Sequence, residues 1–280
     1  MEKSIILLCL LAGACTHSTP CALRVASYNI RQDTPQDSLN AWMYRREAIK
    51  SLIRYHDFDI IGTQEGFSHQ LQDLCRMPEY ACFGAGRDDG KSAGEHSAIL
   101  YKKAAFHLLD SGNFWLSETP DRPSFGWDAT RYKRICSWAK FEHKNTGVRF
   151  YVFCTHFDHR GLIAQQESAK LMLRKIKELA NEEPVICMGD LNSKPATAQI
   201  STMTSSLYNT RDISKMPPYG PEETANTAFS IPIDKCIDYI FVSAHFSVAK
   251  HAVLTDLRTA CLFPSDHLPV VADIILQKTN

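Results

Sequence analysis

The stretch Pro184-Val-Ile-Cys-Met-Gly-Asp190-Leu-Asn192-Ser193 carries most of the information about the fold. A run of apolar and small residues follows the proline, and a carboxylate and an amide come directly after the run. A short apolar run that is bounded by proline and by polar residues predicts a buried strand. Because strand ends are the places where a layered fold gathers side chains, Asp190 and Asn192 are predicted to lie at a functional site.

A second strong strand precedes this stretch, over Val148-Arg-Phe-Tyr-Val-Phe-Cys-Thr-His156. Between the two strands, residues 164–180 place apolar side chains at helical spacing, which predicts an amphipathic helix. The other predicted strands cover residues 23–30, 59–65, 97–101, 106–116, 135–141, 237–242, 248–255 and 268–276. Helices are predicted over residues 41–55, 67–76 and, as a short one, 196–206, and residues 207–226 are predicted to be a loop. No repeat, low-complexity tract or linker divides the chain, so the pattern predicts one layered domain.

The composition excludes several classes of protein. Of the 280 residues, 44% are hydrophobic and 22% are charged, which is close to the average of globular proteins and unlike a disordered, collagen-like or coiled-coil chain. Lys plus Arg total 31 and Asp plus Glu total 31, so the net charge is zero. An indiscriminate nucleic-acid binder usually carries a basic surplus, which this chain lacks.

The N-terminal segment is typical of an export signal. Met1 to Ser4 contain one lysine, and an apolar run of ten residues, 5–14, follows, too short for the roughly 20 residues of a membrane-spanning helix. This pattern predicts a signal peptide over residues 1–21 and a domain over residues 22–280. Leu11-Ala-Gly-Ala-Cys15 resembles a bacterial lipobox, with Ala12 where an aliphatic residue is usual. We therefore expect an exported protein, periplasmic or anchored to the membrane through a lipid on Cys15.

The ten cysteines contain no Cys-x-x-Cys pair, so a structural zinc site or a thioredoxin-like site is not predicted. Cys136, Cys154 and Cys187 lie in apolar runs and are predicted to be buried as small hydrophobic residues. Cys75 and Cys82 flank a turn, where they could form a disulfide in an oxidising compartment or remain free thiols.

Polar residues cluster at the ends of the predicted strands. The side chains in question are Asn29, Glu65, His156, Asp158, Asp190, Asn192, Asp238, Asp266 and His267. Carboxylate and amide oxygens suit Mg²⁺ or Mn²⁺ rather than zinc or copper. Histidines beside carboxylates can transfer protons and bind phosphate. These are the parts that metal-assisted hydrolysis of a phosphate ester requires.

Six motifs occur in a characteristic order: Ser27-Tyr-Asn29, Thr63-Gln-Glu65, Thr155-His-Phe-Asp158, Gly189-Asp-Leu-Asn-Ser193, Ile237-Asp-Tyr-Ile-Phe241 and Ser265-Asp-His-Leu-Pro-Val270. Together they resemble the motifs of the endonuclease/exonuclease/phosphatase (deoxyribonuclease I-like) superfamily, over residues 23–276. The stretches 86–91, 114–120, 126–128 and 134–139 resemble a bacterial subgroup near its deadenylase branch. The resemblance implies an α/β fold: a four-layer α-β-β-α sandwich of two mainly antiparallel sheets, packed face to face with helices outside.

The resemblance also implies roles for residues. Glu65 is the expected principal metal ligand, with Asn29 and Asp266 near the metal. Asp190 is expected to orient or deprotonate the attacking water. His267 is expected to act with Asp238, as a base or as a phosphate ligand. Whether Asp190 or His267 is the base stays open. The remaining assignments are Asn192 and His156 as phosphate contacts, and Arg87, Arg131, Arg134 and Asp158 as substrate-binding residues, with a loop cap as the alternative for Asp158.

The predicted function is divalent-metal-dependent hydrolysis of phosphate esters, with Mg²⁺ or Mn²⁺ as cofactor and a phosphodiesterase or nuclease as the first choice. The alternative is a phosphomonoesterase or phospholipase-type enzyme that acts on sugar phosphates, inositol phosphates or lipid head groups. A catalytically silent binding protein is disfavoured, since the set of polar residues is intact. The neutral charge favours a small or short phosphate ester over a long nucleic acid, and we expect a monomer.

Overall fold

The computed structural model describes residues 21–226, 228–259 and 261–276. In chain order its elements are β1 (Cys21–Asn29), a 3₁₀ helix (Pro35–Asn40), α1 (Trp42–Tyr55), β2 (Ile60–Gly66), α2 (Ser68–Cys75), β3 (Tyr80–Phe83), β4 (His96–Lys102), β5 (Phe106–Trp115), β6 (Ile135–His143), β7 (Arg149–His156), α3 (Leu162–Ala180), β8 (Val185–Asp190), α4 (Ala198–Thr204), β9 (Tyr208–Asn209), β10 (Asp238–Val242), β11 (Phe246–Val253) and β12 (Val270–Leu276).

The strands form two six-stranded sheets that pack face to face. The strand order is β11-β12-β1-β2-β4-β3 in the first sheet and β5-β6-β7-β8-β10-β9 in the second. Each sheet contains one parallel pair, β1 with β2 and β7 with β8, and the other neighbours are antiparallel. The predicted sandwich of two mainly antiparallel sheets is therefore confirmed.

Alternation along the central strands builds three apolar layers. Val25 in β1 and Val152 in β7 point into the core between the sheets, whereas their neighbours Ala26 and Phe153 belong to the outer layers. The outer layer of the second sheet packs against α3, through residues such as Met172. Because helices or the other sheet cover both faces, these strands are apolar nearly throughout, which made them easy to predict.

Helix α3 begins two residues earlier than predicted, at Leu162. The carboxylate of Asp128, from the loop before β6, accepts hydrogen bonds from the backbone N–H groups of Ile163 (3.2 Å) and Ala164 (2.7 Å). These N–H groups belong to the first turn, which has no partners within the helix. A distant residue therefore stabilises the helix start, and the local pattern gives no sign of it.

Two short strands were not predicted. Strand β3 spans Tyr80–Phe83 and pairs with β4 at the edge of the first sheet. Strand β9 has only two residues, Tyr208–Asn209, and lies in the segment predicted to be a loop. Both are edge strands that owe their conformation to a neighbouring strand. A Cys75–Cys82 disulfide, with a Cα–Cα distance of 6.0 Å, closes the segment before β3. Of the two alternatives for these cysteines, a disulfide or free thiols, the structure has the disulfide.

Burial of Cys136, Cys154 and Cys187 is confirmed, since all three are fully buried. Residues 1–20, which hold most of the predicted leader and Cys15, lie outside the described residues, and Cys21 opens β1 opposite Leu276. Among the helices that the structure describes, none is both long and apolar enough to cross a bilayer.

His251 in β11 is expected to make the fold sensitive to acid. Burial, and then Arg211, lower the pKa of His251 from 6.5 to about 4 in the folded protein. The unfolded chain therefore binds the proton first as the pH falls. The free energy of unfolding should decrease between the unfolded and the folded pKa, by roughly 3 kcal/mol in total.

The variant His251→Asn tests this expectation, because asparagine can still bond to Thr210, whose Oγ1 lies 3.0 Å from the His251 Nδ1. Urea unfolding of both proteins at about pH 7 and about pH 4.5 measures the change. The natural protein should lose more stability than the variant does. Equal losses in the two proteins would exclude His251 as the cause.

Candidate active site

The strand directions bring the predicted site residues to one edge of the sandwich. Asn29 and Glu65 lie at the carboxyl ends of the parallel strands β1 and β2, and His156 and Asp190 pair at the ends of β7 and β8. Strands β10 and β12 run antiparallel to β8 and β1, so residues at or just before their beginnings reach the same edge. These residues are Asp238, Asp266 and His267.

A cleft of about 370 Å³ opens at this edge. Carboxylates and histidines from the strand ends line it, together with arginines from the loops before β4 and β6. Its lining includes Arg31, Glu65, Arg87, Glu95, Arg131, Tyr132, Arg134, His156, His159, Asp190, Asn192, Asp266 and His267.

Asn29 joins the two sheets beside the cleft, behind its lining residues Glu65 and Asp190. Its side-chain Nδ2 donates to Glu65 Oε1 at 3.0 Å and to Asp190 Oδ2 at 3.1 Å. Its Oδ1 accepts the backbone N–H of Arg31 at 3.0 Å, and the side chain is fully buried. Glu65 comes from the first sheet and Asp190 from the second, so this amide fixes the distance between them.

Arg31 lies beside the carboxylates and was not predicted. Its Nη1 is 3.9 Å from Glu65 Oε2 and 3.6 Å from Asp266 Oδ2, and Asp37 holds the guanidinium with two contacts of 3.0 Å. Burial raises the pKa of Glu65, but the charges of His267 and Arg31 and the Asn29 amide outweigh it, so that the pKa is lowered. Glu65 is therefore ionised, as a metal ligand must be.

The donor set fits a hard divalent cation. Glu65, Asp190 and Asp266 offer carboxylate oxygens, and ligand atoms of Glu65, His156 and Asp190 lie within 4.8 Å of one another. Asn29, a predicted metal residue, turns its donor Nδ2 toward the carboxylates and its Oδ1 toward Arg31, so here it orients ligands and does not offer an oxygen. Oxygen-rich sets without thiolates are typical of Mg²⁺-type sites. A bound cation would neutralise phosphoryl oxygens there.

Asp190 lies at the centre of the site. Its Oδ1 accepts the backbone N–H of Asn192 at 2.8 Å, and its Oδ2 is 3.4 Å from His156 Nε2 and 3.8 Å from His267 Nε2. Burial, and then the Asp238 carboxylate, raise the pKa of Asp190 to about 7. A carboxyl group with a pKa near neutrality can accept a proton from water.

The residue before Asp190 has to be glycine for a steric reason. A Cβ atom at Gly189 would overlap the backbone carbonyl oxygen of Thr155 in β7 and lie 2.9 Å from its carbonyl carbon. Without a side chain, β7 and β8 approach closely enough to place His156 opposite Asp190.

His267 is held by a buried carboxylate and, through it, by a threonine. Its Nδ1 lies 2.8 Å from Asp238 Oδ2, and the same oxygen accepts the hydroxyl of Thr224 at 2.6 Å. Burial alone would lower the pKa of His267, but Asp238, Asp190 and Asp266 together raise it well above its usual value. His267 is therefore a cation that can donate to a phosphoryl or leaving-group oxygen. Thr224 lay in the segment predicted to be a loop, and sequence reasoning missed it.

His156 is the neutral counterpart of His267. Burial, and then Arg134 and Arg87, lower its pKa well below the usual value. Asn192 Nδ2 lies 3.0 Å from His156 Nε2, so this nitrogen accepts and Nδ1 carries the proton. The Nδ1 faces Glu95 Oε2 at 4.0 Å.

Glu95 links His156 to the arginine side of the cleft. Its Oε2 accepts from Arg87 Nη1 at 2.7 Å, and both side chains are buried. Burial, and then Glu65, raise the pKa of Glu95 to about 7. Glu95 was not among the predicted site residues. A signal existed, since it directly precedes β4, whose beginning lies beside the end of β2.

The three predicted arginines converge on Tyr132, which was not predicted. The guanidinium carbons of Arg87, Arg131 and Arg134 lie 4.5, 5.1 and 5.8 Å from the centre of the Tyr132 ring. Arg131 is exposed, whereas Arg87 and Arg134 are buried.

Asp158 lies behind the arginines and does not line the cleft. Its Oδ1 accepts the backbone N–H groups of Arg160 (2.8 Å) and Gly161 (2.7 Å), and its Oδ2 lies 3.5 Å from Arg134 Nε. The side chain thus caps the loop before α3, the alternative that the sequence left open, and also orients Arg134.

Comparison with known proteins places the chain in a family. The model described as "Endonuclease/Exonuclease/phosphatase family" matches residues 26–267, and the chain belongs to this family. The resemblance inferred from the six motifs is confirmed. Because the carboxylates and histidines of the family motifs meet in one cleft, the protein is a metal-dependent phosphoric ester hydrolase.

Among solved structures, an endonuclease/exonuclease/phosphatase family protein from Bacteroides thetaiotaomicron is 41% identical, with a TM-score of 0.88 and coverage of 93% of this chain and 100% of that chain. A mannosyl-6-phosphatase from the same species is 42% identical, with a TM-score of 0.86 and coverage of 91% and 100%. The uncharacterized protein L388 of Acanthamoeba polyphaga mimivirus is 26% identical over 171 residues, or 56% of this chain. The match spans 61% of that curated relative, less than two thirds of its length.

Proposed function

We propose that the protein is a Mg²⁺- or Mn²⁺-dependent phosphomonoesterase that acts on a small phosphorylated substrate of the sugar-phosphate class. The observation that carries this proposal is the charge at the strand ends, where Arg31 and the cationic His267 lie beside the carboxylates that would hold a cation. A phosphomonoester carries about −1.5 to −2 charges at neutral pH, whereas a diester carries about −1. A bound cation together with Arg31 and His267 around the phosphoryl group suits the more highly charged monoester.

The size of the cleft supports a small substrate. Its volume of about 370 Å³ lies at the lower end of the range for small-molecule sites. A phosphoryl group and one sugar-sized group fill such a space. The balance of 31 basic and 31 acidic residues also gives no broad positive surface for a long polyanion.

The similarity to a mannosyl-6-phosphatase, at 42% identity over nearly the whole domain, supports the same substrate class. The nuclease-type diesterase that was the first choice from the sequence is the competing function. Both functions need the same metal site and differ in what the arginine side of the cleft must accommodate.

The residues of the chain divide the work as follows in this proposal. Glu65 and Asp266 would hold the cation, which when bound neutralises the phosphoryl oxygens, and the Asn29 amide fixes Glu65 relative to Asp190. Asp190 orients the attacking water and takes its proton. The cationic His267 donates to the phosphoryl oxygen or the leaving group.

A substrate panel tests the proposal. Mannose 6-phosphate, a phosphodiester, RNA, DNA and a phospholipid are incubated with Mg²⁺ or Mn²⁺, with chelator as control. We expect inorganic phosphate from the monoester, no product with chelator, and slow or absent turnover of the diesters. Cleavage of diesters without release of inorganic phosphate from the monoester would favour the diesterase instead.

Export of the protein is a further proposal. The Cys75–Cys82 disulfide supports it, because disulfides persist mainly in oxidising compartments. Mass spectrometry of the mature N-terminus would test both the cleavage of residues 1–21 and a lipid on Cys15. An uncleaved Met1 would contradict the proposal.

A monomeric state is likewise proposed, and light scattering tests it.

A further inference from the structure

The arginine wall, which we define as Arg87, Arg131, Tyr132, Arg134 and His159, carries more positive charge than its surroundings neutralise. Glu95 pairs with Arg87 at 2.7 Å, and Asp158 lies 3.5 Å from Arg134. Among the described residues Arg131 has no carboxylate within 4.0 Å. Three guanidinium groups therefore face two carboxylates around a single tyrosine ring.

His159 does not supply the missing negative charge. Its Nδ1 lies 3.0 Å from Arg134 Nη2 and accepts a hydrogen bond from it. Burial, and then Arg134, lower the pKa of His159, so the ring stays neutral. Arg131 is therefore left without an ion-pair partner in the part of the chain that the structure describes.

Two buried donors of the wall also lack partners. Arg87 is 6% exposed and Arg134 is 4% exposed, yet Arg87 Nε and Arg134 Nη1 make no hydrogen bond to any described residue. A buried guanidinium N–H without an acceptor is costly, and most such groups in proteins are paired. Both residues line the cleft, so an acceptor entering the cleft can reach this wall.

The wall borders the groups that act on the reacting phosphate at the strand ends. Arg87 reaches them through Glu95, which lies 4.0 Å from His156, and Arg134 lines one small cavity together with His156. Arg131 and Tyr132, from the loop before β6, line the cleft but not that cavity. A substrate whose phosphoryl group is bound at the strand ends would therefore place its distal part against Arg131 and Tyr132.

We propose that the arginine wall is a second anion-binding subsite, and that the preferred substrate is a small phosphate ester with a second anionic group, a phosphate or a carboxylate, at its distal end. This inference rests on the proposed phosphomonoesterase function and narrows its substrate class. An anion on the wall would accept from the exposed Arg131 guanidinium and neutralise the surplus charge. Bidentate arginine contacts are well suited to both kinds of oxyanion.

Binding to an inactive variant tests the subsite without depending on turnover. The variant Asp190→Asn with Mg²⁺ is titrated calorimetrically with three probes: mannose 6-phosphate, glucose 1,6-bisphosphate and 6-phosphogluconate. We expect at least one of the two-anion probes to bind about tenfold tighter than the one-anion probe. The two-anion probes distinguish a phosphate from a carboxylate as the second group.

Substitution of the exposed Arg131 tests whether the tighter binding of the two-anion probes depends on the arginine wall. When Arg131→Ala is added to the Asp190→Asn variant, the ratio of affinities for the two-anion and one-anion probes should fall from about ten to near one. Adding Arg122→Ala should leave the difference unchanged, because Arg122 is an exposed residue of the same loop that does not line the cleft. The proposal is wrong if neither two-anion probe binds more tightly, or if Arg131→Ala weakens all three probes equally, since the wall would then hold the reacting phosphate itself.

Turnover by the active protein separates this inference from the proposed function. With Mg²⁺, kcat/KM should be about tenfold higher for the favoured two-anion probe, and Arg131→Ala should remove the preference. Preferential binding without release of phosphate from any probe would uphold the subsite and contradict the phosphomonoesterase. Release of phosphate from all probes at one rate would uphold the phosphomonoesterase and contradict the subsite.

Discussion

Asp190→Asn is expected to lower kcat/KM for phosphoester hydrolysis by about 10³-fold, within the range found for loss of a general base. The Asp190 Oδ2 lies within 4 Å of His156 and His267, and no other described carboxylate contacts both histidines. Asparagine keeps the shape and can still accept the backbone N–H of Asn192. It cannot take a proton from water, so the chemical step should fail while substrate still binds.

The same substitution is expected to leave the fold intact. Asp190 is almost fully buried and its pKa is raised, which shows that its charged form is destabilised where it lies. Replacing it with a neutral side chain removes this cost but loses the hydrogen bond from Asn29 Nδ2, so the melting temperature should stay close to that of the natural protein. Asp121→Asn, an exposed residue in the loop before β6, serves as the matched control and should change neither quantity. Near-normal hydrolysis by folded Asp190→Asn would exclude Asp190 as the base.

The Asp238–His267 pair is expected to behave as one unit. His267→Gln should lower kcat/KM by about 10²- to 10³-fold, because the cation that faces the phosphoryl group is lost. Asp238→Asn should lower it by about 10²-fold, because the carboxylate 2.8 Å from Nδ1 keeps His267 charged and oriented. The double variant should be no worse than His267→Gln, since Asp238 acts through the histidine.

Steady-state kinetics of the two single variants and the double variant measure this coupling. Asp234→Asn is the control, because Asp234 is an exposed carboxylate close in sequence to Asp238. Additive losses in the double variant would show that Asp238 acts independently of His267. A melting temperature for each variant separates the loss of chemistry from the loss of folding.

Most of the fold could be predicted because its central strands are buried on both faces. Runs such as Val185–Met188 are apolar at every position, and this pattern does not depend on neighbours. The elements that were missed or displaced depend on distant partners. Strand β3 exists because it pairs with β4, and α3 begins at Leu162 because Asp128 accepts the N–H groups of its first turn.

For the site, too, local patterns identified residues but not their contacts. Asn29, Glu65, Asp190 and His267 are recognisable in the sequence because each lies beside a strong strand and belongs to a motif of the family. Their gathering in one cleft follows from strand direction, which a linear pattern does not specify. Asp158 was predicted to bind the substrate. Its carboxylate instead accepts backbone N–H groups and lies beside Arg134.

The sequence by itself determined the layered fold, the family and the residue types of the metal site, because apolar runs and ordered motifs are local properties of the chain. Only the tertiary structure decided how the charges pair. Glu95, Arg31 and Thr224 joined the site through contacts with residues far away in sequence, at distances of a few ångströms. The gathering of carboxylates and arginines in one cleft, on which the proposed substrate depends, exists only after both sheets have packed together.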